Sequence, residues 1–248
     1  MTKDSGLRRE YLRKEKAGVL YAVGLGPGDP ELMTLRAARL IGGADVVAYP
    51  ALVGGESLAR SIAADLISEG AAEIVVEVPM TVERGPAQTA YDAGATAIST
   101  ALRSGQDVVY LCEGDPFFYG SFMYLFARLI GDFQVEVVPG VTSVAACAAR
   151  SGRPLVARNE RLTVLPGPLD EDELRSRIEG AESVAIMKVG RHLGKIRGVI
   201  DGLGLMDRAV YIERASLPEE VVYPLAEAPE KAPYFSMILL TKGADPWL

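Results

Sequence analysis

The fold is decided by the first apolar segment of the chain, which reads Val19-Leu20-Tyr21-Ala22-Val23-Gly24-Leu25-Gly26-Pro27-Gly28-Asp29. Its first five residues form a continuous apolar run that ends at glycines, which is typical of a strand buried on both faces. Asp29 and Pro30 are suited to the cap and the first position of a helix, which we expect to run to about Ile41. The segment therefore predicts the strand-turn-helix unit of an α/β protein.

The same alternation continues along the chain. Strand patterns occur at Val19–Val23, Asp45–Tyr49, Glu73–Val78, Asp107–Cys112 and Phe133–Val138, and helical patterns at Ser57–Ile67, Ala87–Arg103, Phe122–Ile130 and Thr142–Ser151. This order predicts a parallel sheet with helices on both faces. Ligands of such sheets bind beyond the carboxyl ends of the strands, which is where the glycine-rich loops of this half fall.

Beyond residue 157 the pattern changes to five strand-like stretches with only two intervening helices. The strand patterns are Arg161–Leu165, Ser183–Met187, Ala209–Glu213, Val221–Leu225 and Tyr234–Leu240, and the helices are Asp170–Glu179 and Leu193–Leu203. We therefore expect a disordered lead over residues 1–17, an N-terminal α/β domain over 18–156 and a C-terminal α/β domain with a mixed sheet over 157–248.

Composition excludes several classes of function. The net charge of −7 argues against a nucleic-acid partner, which needs clustered Lys and Arg. Cys112 and Cys147 have no Cys or His at ligand spacing, so we expect buried thiols and no metal site. No apolar run approaches the roughly twenty residues of a membrane span, and the polar first residues do not form a signal peptide, so we expect a cytoplasmic protein.

Three strand-end loops carry the chemistry. The first, Gly24–Asp29, differs from a dinucleotide loop because Asp29 stands where the third glycine belongs, and its carboxylate would repel a pyrophosphate. The second, Glu113–Ser121, combines glycines, an acceptor in Asp115 and the aromatic pair Phe118 and Tyr119. The third, Val138–Ser143, places Thr142 or Ser143 to cap a helix. Together they predict a site for an uncharged or zwitterionic nucleoside.

These loops resemble the signatures of the tetrapyrrole (corrin/porphyrin) methylase family, namely G-x-G-P-G-D, G-D-P-x-x-[FY]-G and V-P-G-[IV]-[TS] followed by a small residue, in the family's order. The resemblance runs from Leu20 to Leu240. It implies a two-domain tetrapyrrole-methylase fold, S-adenosylmethionine as methyl donor with S-adenosylhomocysteine as product, a small-molecule tetrapyrrole substrate and a homodimer. The stretches Gly114–Tyr124, Leu162–Gly167, Ile186–Arg191 and Tyr234–Ile238 are most similar to members that methylate carbon 20 of precorrin-2 or of cobalt-factor II, which the sequence does not separate.

The resemblance also implies which residues form the site, at the positions of this sequence that match the family's motifs. The cofactor contacts would be Pro27, Glu113, Gly114, Asp115, Phe118, Thr142, Ser143, Met187 and Ala215. Because the substrate carries several carboxylates, we expect a rim of cations made by Arg153, Arg158, Arg161, Lys188 and Arg191. Catalysis would come largely from positioning, no catalytic residue is assigned, and Glu113 and Tyr119 are the nearby candidates for a proton acceptor.

Other readings remain open at this point. The parallel sheet and glycine-rich first turn also suit a nicotinamide-dependent oxidoreductase, against which the missing third glycine counts. A cleft that binds S-adenosylmethionine only as a sensor would carry the same loops. Within the family, another ring carbon, a diphthine intermediate or ribosomal RNA could be the acceptor, although RNA fits poorly with the net charge.

Overall fold

The computed structural model describes residues 17–79 and 84–243, which form two compact units. Unit 1 contains the described residues up to Gly26 together with Pro30–Gly140, and unit 2 contains Pro27–Asp29 together with the described residues from Val141 onward. The predicted disordered lead lies, except for Ala17, outside the described residues. Within the described parts of the chain, no helix is both long and apolar enough to cross a bilayer.

Unit 1 is a parallel five-stranded sheet with the order β3-β2-β4-β1-β5. Its strands are β1 (Val19–Gly24), β2 (Val46–Ala51), β3 (Ala72–Glu77), β4 (Val108–Cys112) and β5 (Gln134–Val138), and its helices are α1 (Leu35–Gly42), α2 (Leu58–Ile62), α3 (Arg84–Arg103) and α4 (Phe122–Leu129). The predicted parallel sheet is confirmed.

Both faces of the three central strands, β1, β2 and β4, are buried, as their continuous apolar sequences predict, whereas the edge strands β3 and β5 are more exposed. Val108, Tyr110 and Cys112 of β4 belong to the core that α3 and α4 cover. Val109 and Leu111 belong to a second core that includes residues of α1 and α2. Because successive side chains of a strand point to opposite faces, β4 supplies both cores and is buried throughout.

The start of the first helix differs from the prediction. Pro30–Leu32 forms a short 3-10 turn, and α1 begins only at Leu35. The cap is Thr34, whose side chain accepts a hydrogen bond from the Ala37 N–H at 3.1 Å. Asp29 therefore does not cap α1, and its backbone N–H donates to the Ser216 hydroxyl at 3.1 Å.

The predicted helix at Ser57–Ile67 is also shorter than expected. It consists of α2, capped by Ser57, and a separate 3-10 turn at Ala64–Leu66. The Leu66 N–H bonds to the Ala63 carbonyl at 2.9 Å, which tightens the chain into the narrower turn.

Unit 2 contains a mixed five-stranded sheet with the order β6-β7-β10-β8-β9, as the spacing of the second half predicts. Its strands are β6 (Leu162–Pro166), β7 (Ser183–Met187), β8 (Ala209–Glu213), β9 (Val221–Pro224) and β10 (Ser236–Thr241), and its helices are α5 (Ser143–Ser151), α6 (Glu171–Glu179) and α7 (Leu193–Gly202). Only β6 and β7 pair in parallel. Helix α5 contacts β8 and β10 and so belongs to unit 2. That the chain consists of two domains with a boundary after residue 156 stays a prediction.

Candidate functional site

The three predicted loops of unit 1 meet at one edge of its sheet. Strands β4, β1 and β5 are neighbours and run in the same direction, so the loops that follow them leave the sheet side by side. Gly26 and Gly114 exchange two backbone hydrogen bonds of 3.2 and 2.7 Å. A Cβ on Gly140 would lie 2.1 Å from the Gly114 carbonyl oxygen and 2.8 Å from the Gly24 Cα. The loops therefore pack backbone on backbone, which only glycine permits here.

Asp115 holds the second loop and connects it to the third. Its Oδ1 accepts hydrogen bonds from the backbone N–H groups of Phe117 and Phe118 at 2.9 and 3.0 Å. Its Oδ2 accepts a hydrogen bond from the Gly140 N–H at 3.1 Å. The carboxylate thus fixes the shape of the loops, a role that the sequence did not predict, whereas its contact with a cofactor stays a prediction.

Phe118 and Tyr119 lie against each other at the end of this loop. Their rings meet edge to face, with centroids 5.4 Å apart and planes at 80°. Tyr119 has a φ of +58°, a left-handed conformation that side chains other than glycine rarely adopt. Neighbouring Phe117 packs on Phe122 and Phe126 instead. The loop therefore presents one aromatic pair, and its role in covering a flat ring stays a prediction.

Glu113 lies between the buried end of β4 and Gly114. Burial raises the pKa of its carboxyl group, and hydrogen bonds from its own backbone and that of Ala59 act in the opposite direction. A half-buried carboxyl with a raised pKa can accept or release a proton closer to neutrality than an exposed one. Its assignment as a cofactor contact or proton acceptor stays a prediction.

Unit 2 carries the remaining candidate cofactor residues. Thr142 caps α5 by accepting a hydrogen bond from the Ala145 N–H at 3.4 Å, as predicted, and Ser143 is the first residue of that helix. Met187 ends β7, and Ala215 follows β8 by two residues. Strands β7 and β8 both run antiparallel to β10, so they run in the same direction and Met187 and Ala215 lie at the same edge of the sheet. Pro27 belongs to the short segment that is counted in unit 2.

The chemistry of these loops suits a ligand without phosphates. Residues 24–29, 113–121 and 139–143 contain no Lys or Arg. The turn after β1 leads into a three-residue 3-10 turn instead of an α-helix, so it lacks the helix N-terminus that binds pyrophosphate in dinucleotide sites. Among the described residues, no group of three or more His, Cys, Asp or Glu side chains is arranged to hold a metal ion.

The five predicted substrate cations fall at two opposite edges of the second sheet. Arg161 precedes β6 and forms an ion pair of 2.9 Å with Glu182, which precedes β7. Arg153 donates to the carbonyl of Arg208, which precedes β8, at 3.0 Å. Arg158 lies in the loop that leads into β6. These three arginines are therefore on the side where the parallel strands begin.

Lys188 and Arg191 follow β7 and lie on the side where the parallel strands end. A five-residue strand separates the two edges by about 17 Å, so the single cluster expected from the sequence does not form within unit 2. Arg214, which follows β8, joins Lys188 and Arg191 at their edge and was missed. Lys188 and Arg214 both have left-handed backbone angles, at φ +57° and +46°.

His192 adds no positive charge to this edge at neutral pH. Burial is the main reason that the pKa of His192 is lowered, and the positive charges of Lys195 and Arg191 lower it further. The imidazole therefore stays neutral around pH 7.

Both cysteines are buried, as predicted, and are free thiols. Burial raises the pKa of Cys147 to about 12 and that of Cys112 well above its usual range. Because the thiolate is the reactive form, we expect neither cysteine to react with a thiol reagent at pH 8 in the native protein, and both to react in denaturant. Absorbance titration with an aromatic disulfide measures this, and rapid labelling of the native protein would contradict it.

The fold and the three strand-end loops define the class, an α/β protein with a candidate ligand site at the carboxyl edge of a parallel sheet. Residues 19–229 match the family model for Tetrapyrrole (Corrin/Porphyrin) Methylases, and the chain belongs to this family. It is 42% identical to the precorrin-2 C(20)-methyltransferase of a Sinorhizobium species over 92% of this chain and 97% of the relative. It is 33% identical to the cobalt-precorrin-2 C(20)-methyltransferase of Salmonella typhimurium over 91% of this chain and 97% of the relative.

Two further matches extend the comparison. The chain is 43% identical to the cobalamin biosynthesis protein CobIJ of Mycobacterium tuberculosis over 91% of this chain, which corresponds to 46% of that longer protein. The solved structure of the uroporphyrin-III C-methyltransferase from Thermus thermophilus with bound S-adenosylhomocysteine is similar at a TM-score of 0.64 and 30% identity. That similarity covers 90% of this chain and 97% of the solved one.

Proposed function

We propose that this protein is an S-adenosylmethionine-dependent C-methyltransferase that adds a methyl group to carbon 20 of precorrin-2, giving precorrin-3A in cobalamin biosynthesis. The observation that carries the proposal is 42% identity over nearly the whole length of both chains to a precorrin-2 C(20)-methyltransferase. The three loops that meet at one edge of the parallel sheet agree with it.

The residues of these loops fit the proposed methyl donor. Its sulfonium is a cation and its amino acid group is a zwitterion, and the loops offer backbone amides, hydroxyls and carboxylates without any Lys or Arg. When bound, S-adenosylmethionine supplies an electrophilic methyl group on sulfur. Pro27, Glu113, Gly114, Asp115, Phe118, Thr142, Ser143, Met187 and Ala215 are our proposed contacts with it.

The role of the chain in this reaction is mainly to position the reactants. Methyl transfer forms a bond between ring carbon and methyl while the bond from methyl to sulfur breaks, so alignment of the three atoms matters most. The ring carbon then loses its proton, for which Glu113 and Tyr119 stay the candidate acceptors. Lys188 and Arg191, joined by Arg214, are at the edge of unit 2 that carries Met187, and we propose them as partners for substrate carboxylates.

The second candidate substrate is cobalt-factor II, the cobalt-containing analogue. The chain is 33% identical to the Salmonella cobalt-precorrin-2 enzyme over 91% of its length, which favours the same ring carbon. The two candidate substrates then differ in whether the ring holds cobalt. The greater identity to the Sinorhizobium enzyme is the reason for preferring the metal-free substrate.

We also propose a cytoplasmic homodimer, as the family resemblance implies. Phe117, Met123 and Tyr124 lie close in sequence around the start of α4 and expose 47%, 40% and 51% of their surface. Large apolar side chains exposed next to one another are typical of an interaction surface. A second copy of the chain is the partner that we propose for it.

The test is anaerobic incubation of the purified protein with S-adenosylmethionine and, in parallel, precorrin-2 and cobalt-factor II. We expect mass spectrometry to detect the replacement of one hydrogen by one methyl group on precorrin-2, with S-adenosylhomocysteine formed in equal amount. Omission of the protein is the control for spontaneous change. Methylation of cobalt-factor II alone would select the second candidate, and no methylation of either, with donor binding intact, would contradict carbon 20 as the target.

A further inference from the structure

The loop between β8 and β9 has a strained backbone. Arg214 and Ser216 have φ angles of +46° and +68°, and Ala215 between them is buried. The left-handed region disfavours residues with a Cβ, and such conformations persist only where surrounding contacts enforce them. Two such backbone conformations within three residues indicate that contacts in the folded protein hold this loop in place.

Glu220 provides one of these contacts. Its carboxylate accepts a hydrogen bond from the Ser216 N–H at 2.5 Å and pairs with the Arg150 Nε of α5 at 2.7 Å. The Glu220 side chain is only 12% exposed whereas Arg150 is 56% exposed, so the bond to Ser216 is better shielded from water than the ion pair. Helix α5 and Glu220 therefore anchor Ser216 within unit 2.

The anchored loop contacts the first sequence motif at two points. The Ser216 hydroxyl accepts a hydrogen bond from the Asp29 N–H at 3.1 Å. A Cβ on Gly28 would lie 2.6 Å from the Leu217 side chain and 3.3 Å from the Ser216 Oγ. The segment Pro27–Asp29 is therefore docked onto residues 216 and 217, and these contacts account for its place in unit 2.

We infer that Ser216 is a positioning residue, which holds the Pro27–Asp29 segment in the conformation that binds S-adenosylmethionine. The inference rests on the proposed function, in which Pro27 and Ala215 contact the donor. Ser216 acts on both, because its neighbour is Ala215 and its hydroxyl bonds to the segment that contains Pro27. No motif of the sequence includes Ser216 or Glu220.

Three substitutions separate the hydroxyl from the backbone angle. Ser216→Ala removes the acceptor and keeps the strain, whereas Ser216→Gly removes the acceptor and relieves the strain. Ser216→Asn tolerates a left-handed backbone and offers a side-chain oxygen to the Asp29 N–H. Ser151→Ala is the matched control, because the bonds of the Ser151 hydroxyl to described residues go to carbonyls of its own helix, at 2.7 and 3.2 Å.

The measurement is calorimetric titration of each full-length protein with S-adenosylmethionine, which gives both the dissociation constant and the fraction of binding-competent protein. Loss of one hydrogen bond corresponds to a roughly five- to ten-fold change in affinity. We expect the alanine and glycine variants to raise the dissociation constant by this factor with an unchanged competent fraction. We expect the asparagine variant to recover most of the affinity and the Ser151 variant to match the wild type.

Each other outcome overturns the inference in a recognisable way. A lower competent fraction with an unchanged dissociation constant would mean that Ser216 only stabilises the fold. A glycine variant that binds as tightly as the wild type would mean that the hydroxyl has no role. Failure of the wild-type protein to bind S-adenosylmethionine would instead refute the proposed function, and the inference with it.

Discussion

Replacement of Gly140 by alanine is expected to destabilise the protein by about 3 kcal/mol, at the upper end of the usual cost of overpacking. The new Cβ would lie 2.1 Å from the Gly114 carbonyl oxygen and 2.8 Å from the Gly24 Cα. Backbone atoms cannot rotate away as a side chain can, so the three loops would have to separate. Urea denaturation followed by circular dichroism gives the free energy of unfolding, and the same variant should lose most of its affinity for S-adenosylmethionine.

Gly131 provides the matched control for this prediction. A Cβ at Gly131 would have no neighbour within 4 Å, so Gly131→Ala should change the free energy of unfolding by less than about 0.5 kcal/mol. If Gly140→Ala unfolds at the same urea concentration as Gly131→Ala, the loops are not packed as closely as described.

Asp115→Ala is expected to have an effect of similar size, a loss of about 3 kcal/mol in the free energy of unfolding. The substitution leaves the N–H groups of Phe117, Phe118 and Gly140 without their carboxylate acceptor. Bonds to charged groups contribute about 1.5–3 kcal/mol each, and the part of this that water recovers lowers the sum. The same denaturation experiment measures the loss.

Asp115→Asn should fall between the wild type and the alanine variant. An asparagine can keep its oxygen toward Phe117 and Phe118, but it then turns an NH₂ group toward the Gly140 N–H, and two donors cannot bond. The control is Asp92→Asn, because Asp92 is 67% exposed in its pair with Arg128 and should contribute less than about 1 kcal/mol. If Asp115→Asn is as stable as the wild type, Oδ2 has no specific role, and if it is only as stable as Asp115→Ala, the bonds to Oδ1 contribute nothing.

Local patterns of the sequence were enough to predict most of the fold. The three central strands of unit 1, β1, β2 and β4, are uninterrupted apolar runs, because both of their faces are covered, and this pattern is visible without knowing the neighbours. The sequence narrowed the cap of α5 to Thr142 or Ser143, the two hydroxyl residues at the start of a helical pattern, and in the structure the cap is Thr142. The edge at which the three loops meet followed from the rule for parallel sheets.

Contacts between distant residues were not predictable in this way. Asp29 has the sequence features of a helix cap, yet its N–H bonds to Ser216, which is 187 residues away. Assigning Arg161 and Lys188 to opposite edges required the directions of β6 and β7. The amino-acid sequence does not reveal in which order and direction the strands lie within each sheet. The left-handed backbone angles at Lys188, Arg214 and Ser216 could not be predicted from residue type, because none of these residues is glycine or asparagine.

Because Pro27–Asp29 packs within unit 2, recombination between related genes is constrained. A chimera that joins the first part of one parent to the second part of another at residue 140 would combine Gly28 and Asp29 of the first parent with Ser216 and Leu217 of the second. A side chain at position 28 would collide with Leu217, because its Cβ would lie 2.6 Å from the Leu217 side chain, so residues 28 and 217 have to be compatible. A crossover that respects the contacts must transfer residues 27–29 together with the C-terminal half, so these two stretches are inherited as one unit although they lie far apart in the gene.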